Sequence, residues 1–190
     1  MDQIEKAVDI LKNGGIVIYP TDTAFGIGCR IDDENAISRL FTLRARPTNN
    51  PTPVLFNSTA MVEEYVTAIP HEVEQLLTRF WPGALTVVLN AKVEKVPQLV
   101  RGGGTTLGCR IPDHEIPLRL IEEVGIPLIG TSANFAGKPT PYSFADIDKD
   151  LVNLVDLVIK GETSVYKEST VIDCTQSPWR ILRQGAIEIK

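Results

Sequence analysis

The stretch Ile16-Val17-Ile18-Tyr19-Pro20-Thr21-Asp22-Thr23-Ala24-Phe25-Gly26-Ile27-Gly28-Cys29 decides the class of fold. Its first four residues form an uninterrupted apolar run, which predicts a short buried strand. From Pro20 to Gly28 the chain reads as a polar, glycine-containing turn at the end of that strand, a common place for ligand sites in α/β sheets. Upstream, Ile4, Ala7, Val8 and Leu11 recur at a helical period over residues 2–12. Asn13-Gly14-Gly15 ends that helix, because glycine accepts the left-handed cap conformation. Helix, glycine stop, buried strand and polar turn together point to an α/β domain.

Further along, apolar periodicity predicts a helix over 33–43, a strand over 53–56 and helices over 59–67 and 70–80. Strands are expected over 85–89 and 105–110, the second after the turn Arg101-Gly102-Gly103-Gly104. Asp113 is expected to cap a helix running to Val124. The run 127–129 reads as a buried strand leading into Gly130-Thr131-Ser132-Ala133-Asn134, and residues 136–143 as a loop. Strands are expected at 154–159, 169–174 and 179–183. Helices and strands are interspersed with no linker between them, so one α/β domain over 1–190, built on a mixed, twisted sheet, is the expected architecture.

Composition narrows the function. With 43% hydrophobic residues, the 190-residue chain has enough apolar surface for a substantial core. No apolar run reaches the roughly 20 residues that a membrane helix needs. The start Met1-Asp2-Gln3-Ile4-Glu5 lacks the basic and apolar regions of a signal peptide, so a cytoplasmic location is expected. Cys29, Cys109 and Cys174 are odd in number and far apart, which argues for buried thiols over a disulfide framework or zinc site. Only His71 and His114 are present, so a His-rich metal site is excluded. A net charge of −5 argues against a chain whose main task is gripping nucleic acid by its phosphates.

Four clusters carry polar chemistry, and each has a plain structural alternative. Thr21, Asp22 and Thr23, with Gly26 and Gly28, suit a ligand loop or simply a structured turn. Arg44-Ala45-Arg46-Pro47 suits polyphosphate, because guanidinium forks bind phosphate bidentately; two arginines also suit the negative end of a helix dipole. Gly130-Thr131-Ser132-Ala133-Asn134 offers hydroxyls, an amide and backbone N–H groups to an anion or a sugar. Neither GxSxG nor SxxK surrounds Ser132, so a serine nucleophile is poorly supported. Near the C-terminus, Arg183 among apolar neighbours needs an anionic partner or a route to solvent.

Taken in order, Pro20–Cys29, Arg44-x-Arg46-Pro47, Trp81-Pro82-Gly83-Ala84-Leu85-Thr86, Arg110-Ile111-Pro112-Asp113, Thr131-Ser132-Ala133-Asn134, Ser169-Thr170-Val171-Ile172-Asp173 and Arg183-x-Gly185 resemble the YrdC-like threonylcarbamoyl-AMP synthases. The resemblance runs from Ile4 to Ile187 and is closest to the short form, without an extra C-terminal domain. It implies a YrdC-like fold with a concave basic cleft. It implies a nucleotidyltransferase that converts L-threonine, bicarbonate and ATP to threonylcarbamoyl-AMP and pyrophosphate for tRNA modification. It also implies handover to a tRNA threonylcarbamoyltransferase.

By the same resemblance, Thr23, Arg110, Gly130 and Ser169 would bind L-threonine. Arg44, Arg46, Asn50, Thr106, Ser132, Thr140 and Arg183 would contact ATP. No catalytic nucleophile or protein metal ligand is implied. Mg²⁺ would be held mainly by the ATP phosphates. Arg44 and Arg46 are favoured for electrostatic work and are expected to converge on the triphosphate. The family usually has lysine in place of Arg44 and often tyrosine in place of Phe25. The principal alternative is an RNA-binding module of the same fold without activity. A carbamoyl-transfer domain of the kind found in hydrogenase-maturation proteins is another, but those chains carry acylphosphatase and zinc-finger-like segments that this sequence lacks.

Overall fold

The computed structural model describes residues 2–189. In chain order the elements are α1 (Gln3–Lys12), β1 (Val17–Pro20), β2 (Phe25–Gly28), α2 (Glu34–Leu43), β3 (Val54–Leu55), α3 (Thr59–Glu63), α4 (His71–Phe80), β4 (Leu85–Asn90), β5 (Thr106–Arg110), α5 (Glu115–Val124), β6 (Leu128–Ile129), β7 (Thr131–Ser132), α6 (Lys149–Leu154), β8 (Leu157–Val158), β9 (Thr170–Asp173) and β10 (Arg180–Arg183). Among the described residues no helix is long and apolar enough to cross a membrane. Cys29, Cys109 and Cys174 are free and buried, as their spacing suggested.

The α/β class is as expected, but the strands form two mixed sheets, not one. The smaller has the order β7-β2-β1-β8, with β1 antiparallel to β2 and parallel to β8. The larger has the order β10-β9-β4-β5-β3-β6, with β4–β9 and β3–β5 parallel. Alternation along the opening stretch divides the core: Ile16, Ile18, Phe25 and Ile27 join one apolar cluster, Val17 and Tyr19 the other. The run is buried on both faces, which explains why it is continuously apolar. The second cluster also takes Ile4, Ala7, Val8 and Leu11, the stripe on α1 that packs α1 against α5.

The chain passes between the sheets at Gly130. β6 belongs to the larger sheet and β7 to the smaller, with only this glycine between them. The sheets are tied there by backbone, since Ile129 N–H donates to the Cys29 carbonyl at 2.9 Å. The Tyr19 hydroxyl donates to the Ile129 carbonyl at 2.9 Å. The cavity described below opens beside this junction.

Several sequence expectations are corrected. Residues 25–28 are a strand, not part of a turn; Phe25 and Ile27 alternate with glycines that admit a neighbouring backbone. A Cβ at Gly28 would overlap the Ile129 carbonyl. Helix α5 is capped by His114 and not Asp113: the His114 Nδ1 accepts from Ile116 N–H at 3.2 Å. Residues 149–154, just before and at the edge of the expected strand 154–159, form α6, whose Asp148 accepts from Asp150 N–H at 2.9 Å. The helix expected over 59–67 ends at Glu63.

Candidate functional site

A cavity of about 390 Å³ lies between the two sheets. The tip of the β1–β2 hairpin forms one wall. Thr21 Oγ1 donates to the Ala24 carbonyl at 2.7 Å and accepts from the N–H groups of Thr23 and Ala24, so it folds the tip on itself. The Thr21 and Thr23 Oγ1 atoms lie 3.1 Å apart. Thr23 Oγ1 also accepts from Arg110 Nη1 at 2.8 Å. A hydroxyl has one donor and two acceptor lone pairs. Thr21, with its proton on Ala24 and both lone pairs taken by N–H groups, has none left for the Thr23 proton, so Thr23 offers the cavity a proton and one lone pair.

Arg110, at the end of β5, is held on three sides. Nε donates to the Gly83 carbonyl at 3.0 Å, Nη1 to Thr23, and Nη2 to Asp22 Oδ1 at 2.5 Å. The ion pair is almost fully buried, with 8% and 3% side-chain exposure. Burial pulls the Arg110 pKa down, and Asp22 opposes that shift. Three of the five N–H donors of a guanidinium are thus used and two remain. The other oxygen of Asp22, Oδ2, is buried without a partner among the described residues. The conformation of the Trp81-Pro82-Gly83 turn supplies the Gly83 carbonyl to Arg110, which gives that motif a local purpose.

Ser169, 6% exposed, sits at the head of β9. Its hydroxyl is 2.9 Å from Thr86 Oγ1 and accepts from Arg183 Nη2 at 3.1 Å, while its carbonyl accepts from Arg183 Nε at 3.0 Å. Arg183 Nη1 also pairs with Glu168 at 3.3 Å. Gly185 allows this arrangement, because a Cβ there would overlap the Glu168 and Ser169 carbonyl groups. Gly185→Ala is expected to push β10 off the head of β9, costing about 1–3 kcal/mol of stability and separating Arg183 from Ser169. Denaturant unfolding together with ATP titration checks both effects.

Of the residues implied by the resemblance, Thr23, Arg46, Thr106, Arg110, Gly130, Ser132, Thr140, Ser169 and Arg183 all line the cavity. Arg44 and Asn50 do not. Arg46 reaches it from the end of α2 while donating to the Pro51 carbonyl at 2.6 Å, and its guanidinium lies 5.9 Å from the Phe41 ring centre. Burial lowers its pKa. The Asn50 side chain is exposed on the surface of the same loop.

The expected convergence of Arg44 and Arg46 is corrected. The chain does turn between them, with Ala45 at φ 50°, but the turn sends them apart. Arg44 is 3% exposed and points under the 131–134 loop. Its Nε donates to the Asn134 carbonyl at 2.8 Å, Nη1 to Thr131 Oγ1 at 2.9 Å and Nη2 to Asn134 Oδ1 at 3.1 Å. Desolvation, with Arg46 nearby, lowers its pKa to about 10. Ser132 in turn donates to Asn134 Oδ1 at 2.7 Å. Arg44 thus positions Ser132 through Asn134. Arg44→Ala is expected to lower stability by about 2–4 kcal/mol through lost buried hydrogen bonds, with a secondary rise in the KM for ATP. Arg44→Lys recovers only part of this, since one ammonium cannot reach three acceptors. Thermal unfolding of both variants is the check; a wild-type Tm in Arg44→Ala would mean the network contributes nothing.

Sequence reasoning missed Asp22 as the counter-ion of Arg110, and Thr86, Glu168 and Asp173 as parts of the wall. Asp22 and Thr86 stood inside quoted motifs and were available; Glu168 had no local signal. Arg46, Arg110 and Arg183 are the cavity's arginines, facing Glu168 and Asp173. Because Arg110 and Arg183 carry their own carboxylates, Arg46 is the one of the three with no ion-pair partner among the described residues. No cluster of three or more His, Cys, Asp or Glu suited to a metal occurs among the described residues.

Comparison with known proteins identifies the family. Residues 9–185 match the Sua5_yciO_yrdC family, described as "Telomere recombination". The chain is 40% identical over 189 residues to a Pyrococcus abyssi protein named threonylcarbamoyl-AMP synthase, covering 99% of this chain and 55% of that protein. It is 33% identical over 187 residues to a Vibrio cholerae protein of the same name, covering 97% and 98% respectively. A crystal structure of P. abyssi Sua5 complexed with L-threonine superposes with a TM-score of 0.92 at 40% identity, over 96% of this chain and 54% of that one. The chain therefore spans about half the length of the archaeal protein and nearly all of the bacterial one.

Proposed function

Because the chain belongs to the Sua5/YciO/YrdC family, we propose that it condenses L-threonine, bicarbonate and ATP into threonylcarbamoyl-AMP, pyrophosphate and water. The observation that carries this reading is the pairing of two kinds of subsite in one cavity. The Thr23–Arg110 corner offers a hydroxyl and two guanidinium N–H groups, which match an amino acid's polar groups and its carboxylate. Arg46, Thr140 and Arg183 bring donors to the same cavity for phosphate. The P. abyssi relative has been solved with L-threonine, which supports threonine as a ligand of this fold.

In the reaction, the threonine amine attacks bicarbonate with loss of water, or its dehydrated form CO₂ with loss of a proton to solvent, and gives a carbamate. A carbamate oxygen then attacks the α-phosphorus, and pyrophosphate leaves with the bond to the α-phosphate. The protein need not form a covalent intermediate. No histidine lines the cavity to activate a hydroxyl, and Ser132 spends its proton on Asn134. Its residues hold two reactants in line and neutralise charge, which is where such reactions gain most of their rate. Mg²⁺, which would further neutralise the phosphates, would arrive with ATP. Asp173, the wall carboxylate outside an ion pair, would be the residue to accept from a water that the ion carries. We place this reaction in the cytoplasm, with the adenylate handed to a tRNA threonylcarbamoyltransferase.

Pyrophosphate release should require threonine and bicarbonate together. Serine should replace threonine only partly, since one methyl group is worth about 1–3 kcal/mol in an apolar pocket. Equal release without threonine would reject the proposal. Salt-sensitive RNA binding with no ATP turnover would favour the RNA-binding alternative.

A further inference from the structure

Glu168 lies on the cavity wall between Thr140 and Arg183, two of the donors proposed for phosphate. One carboxylate oxygen, Oε1, accepts from Thr140 Oγ1 at 2.8 Å; the other, Oε2, lies 3.3 Å from Arg183 Nη1. Thr140 comes from the loop after β7 and Arg183 from β10, so Glu168 bridges two segments across the cavity wall. All three line the cavity. Both donors are thereby directed at a carboxylate already in place. A phosphate group needs the same thing, an anionic acceptor between a hydroxyl and a guanidinium. The pair is partly open, with side-chain exposures of 44% for Arg183 and 37% for Glu168, so a more highly charged anion can displace Glu168 into solvent.

We infer that Glu168 is an intramolecular competitor for the phosphate-binding donors Thr140 and Arg183, displaced by ATP and returning when pyrophosphate leaves. This rests on the reading of the cavity as an ATP site and adds a specificity-determining residue to it. The bridge makes the site selective, because a ligand that reaches Thr140 and Arg183 must outcompete a carboxylate held beside them. It also hastens product release, since the vacated donors already have an acceptor tethered next to them. Exposed ion pairs and single hydrogen bonds are individually weak, so the effect is tuning and not a block.

The test is calorimetric titration of the full chain and of Glu168→Gln and Glu168→Asp with ATP, inorganic triphosphate and adenosine. Glu168→Gln should bind ATP and triphosphate roughly three- to tenfold more tightly than the parent, and adenosine equally. It should also be more strongly inhibited by pyrophosphate. Glu168→Asp keeps the charge but shortens the reach, and should fall between the two. If the parent binds ATP and Glu168→Gln binds it equally or more weakly, the competitor role is wrong while the ATP site stands. If Glu168→Asp matches the parent while Glu168→Gln binds more tightly, bulk charge and not the bridge is responsible, and the inference is also overturned. If neither parent nor variants bind ATP or triphosphate, the reading of the cavity as an ATP site fails and takes this inference with it.

Discussion

Arg110→Ala is expected to abolish measurable L-threonine binding, leave ATP affinity within a few-fold of the parent and lower stability by about 3–5 kcal/mol. The stability loss follows from what is left behind. Asp22, buried at 2% exposure, loses its only ion-pair partner among the described residues, and its Oδ2 already has no hydrogen bond. The ligand loss follows from geometry, because the two remaining guanidinium N–H groups are the ones proposed to hold the carboxylate. Arg110→Lys should not rescue it, since an ammonium has three N–H groups and, serving Gly83, Thr23 and Asp22, would have none left for the carboxylate. Denaturant unfolding and separate titrations with each ligand read the two effects independently. A variant that keeps threonine affinity and loses ATP would reverse the assignment of the two subsites.

Gly28→Ala is expected to be nearly as damaging, although Gly28 lies outside the cavity lining. Its Cβ would overlap the Ile129 carbonyl and stand 2.9 Å from the Tyr19 hydroxyl, at the point where the sheets are tied. The Ile129 obstacle is backbone and cannot swing away, so the cost should reach or exceed the upper end of the ~1–3 kcal/mol usual for overpacking. Forcing the sheets apart also separates Thr23, carried by the β1–β2 hairpin, from Arg110 on β5, so threonine affinity should fall with stability. Gly125→Ala is the comparison. There φ is 76° with nothing near the added methyl, and only the left-handed backbone cost of about 1–2 kcal/mol applies. If both variants unfold at the same denaturant concentration, close sheet contact is not the reason for Gly28.

These cases show what could be read locally and what could not. The apolar runs at Ile16–Tyr19 and Leu85–Leu89 declared themselves as strands, and the period of Ile4, Ala7, Val8 and Leu11 declared α1. β2 was missed because Gly26 and Gly28 look like turn residues, whereas Gly28 answers to a backbone 101 residues away in sequence, Ile129. The nine cavity-lining residues were reachable through the order of the motifs along the chain. Their mutual contacts were not. The spacing of Arg44 and Arg46 suggested a shared anion, but the acceptors that hold Arg44 come from a loop 87 to 90 residues distant in sequence. The bridge from Thr140 through Glu168 to Arg183 exists only once three separate segments meet.

The most direct measurement is mass spectrometry of the nucleotide products formed from ATP, L-threonine and ¹³C-bicarbonate in the presence of magnesium. The expected product is an adenylate that carries the threonine mass and one ¹³C atom, formed in step with pyrophosphate and absent when threonine is omitted. An unlabelled adenylate, or pyrophosphate released at the same rate without threonine, would contradict threonylcarbamoyl-AMP synthesis by this chain.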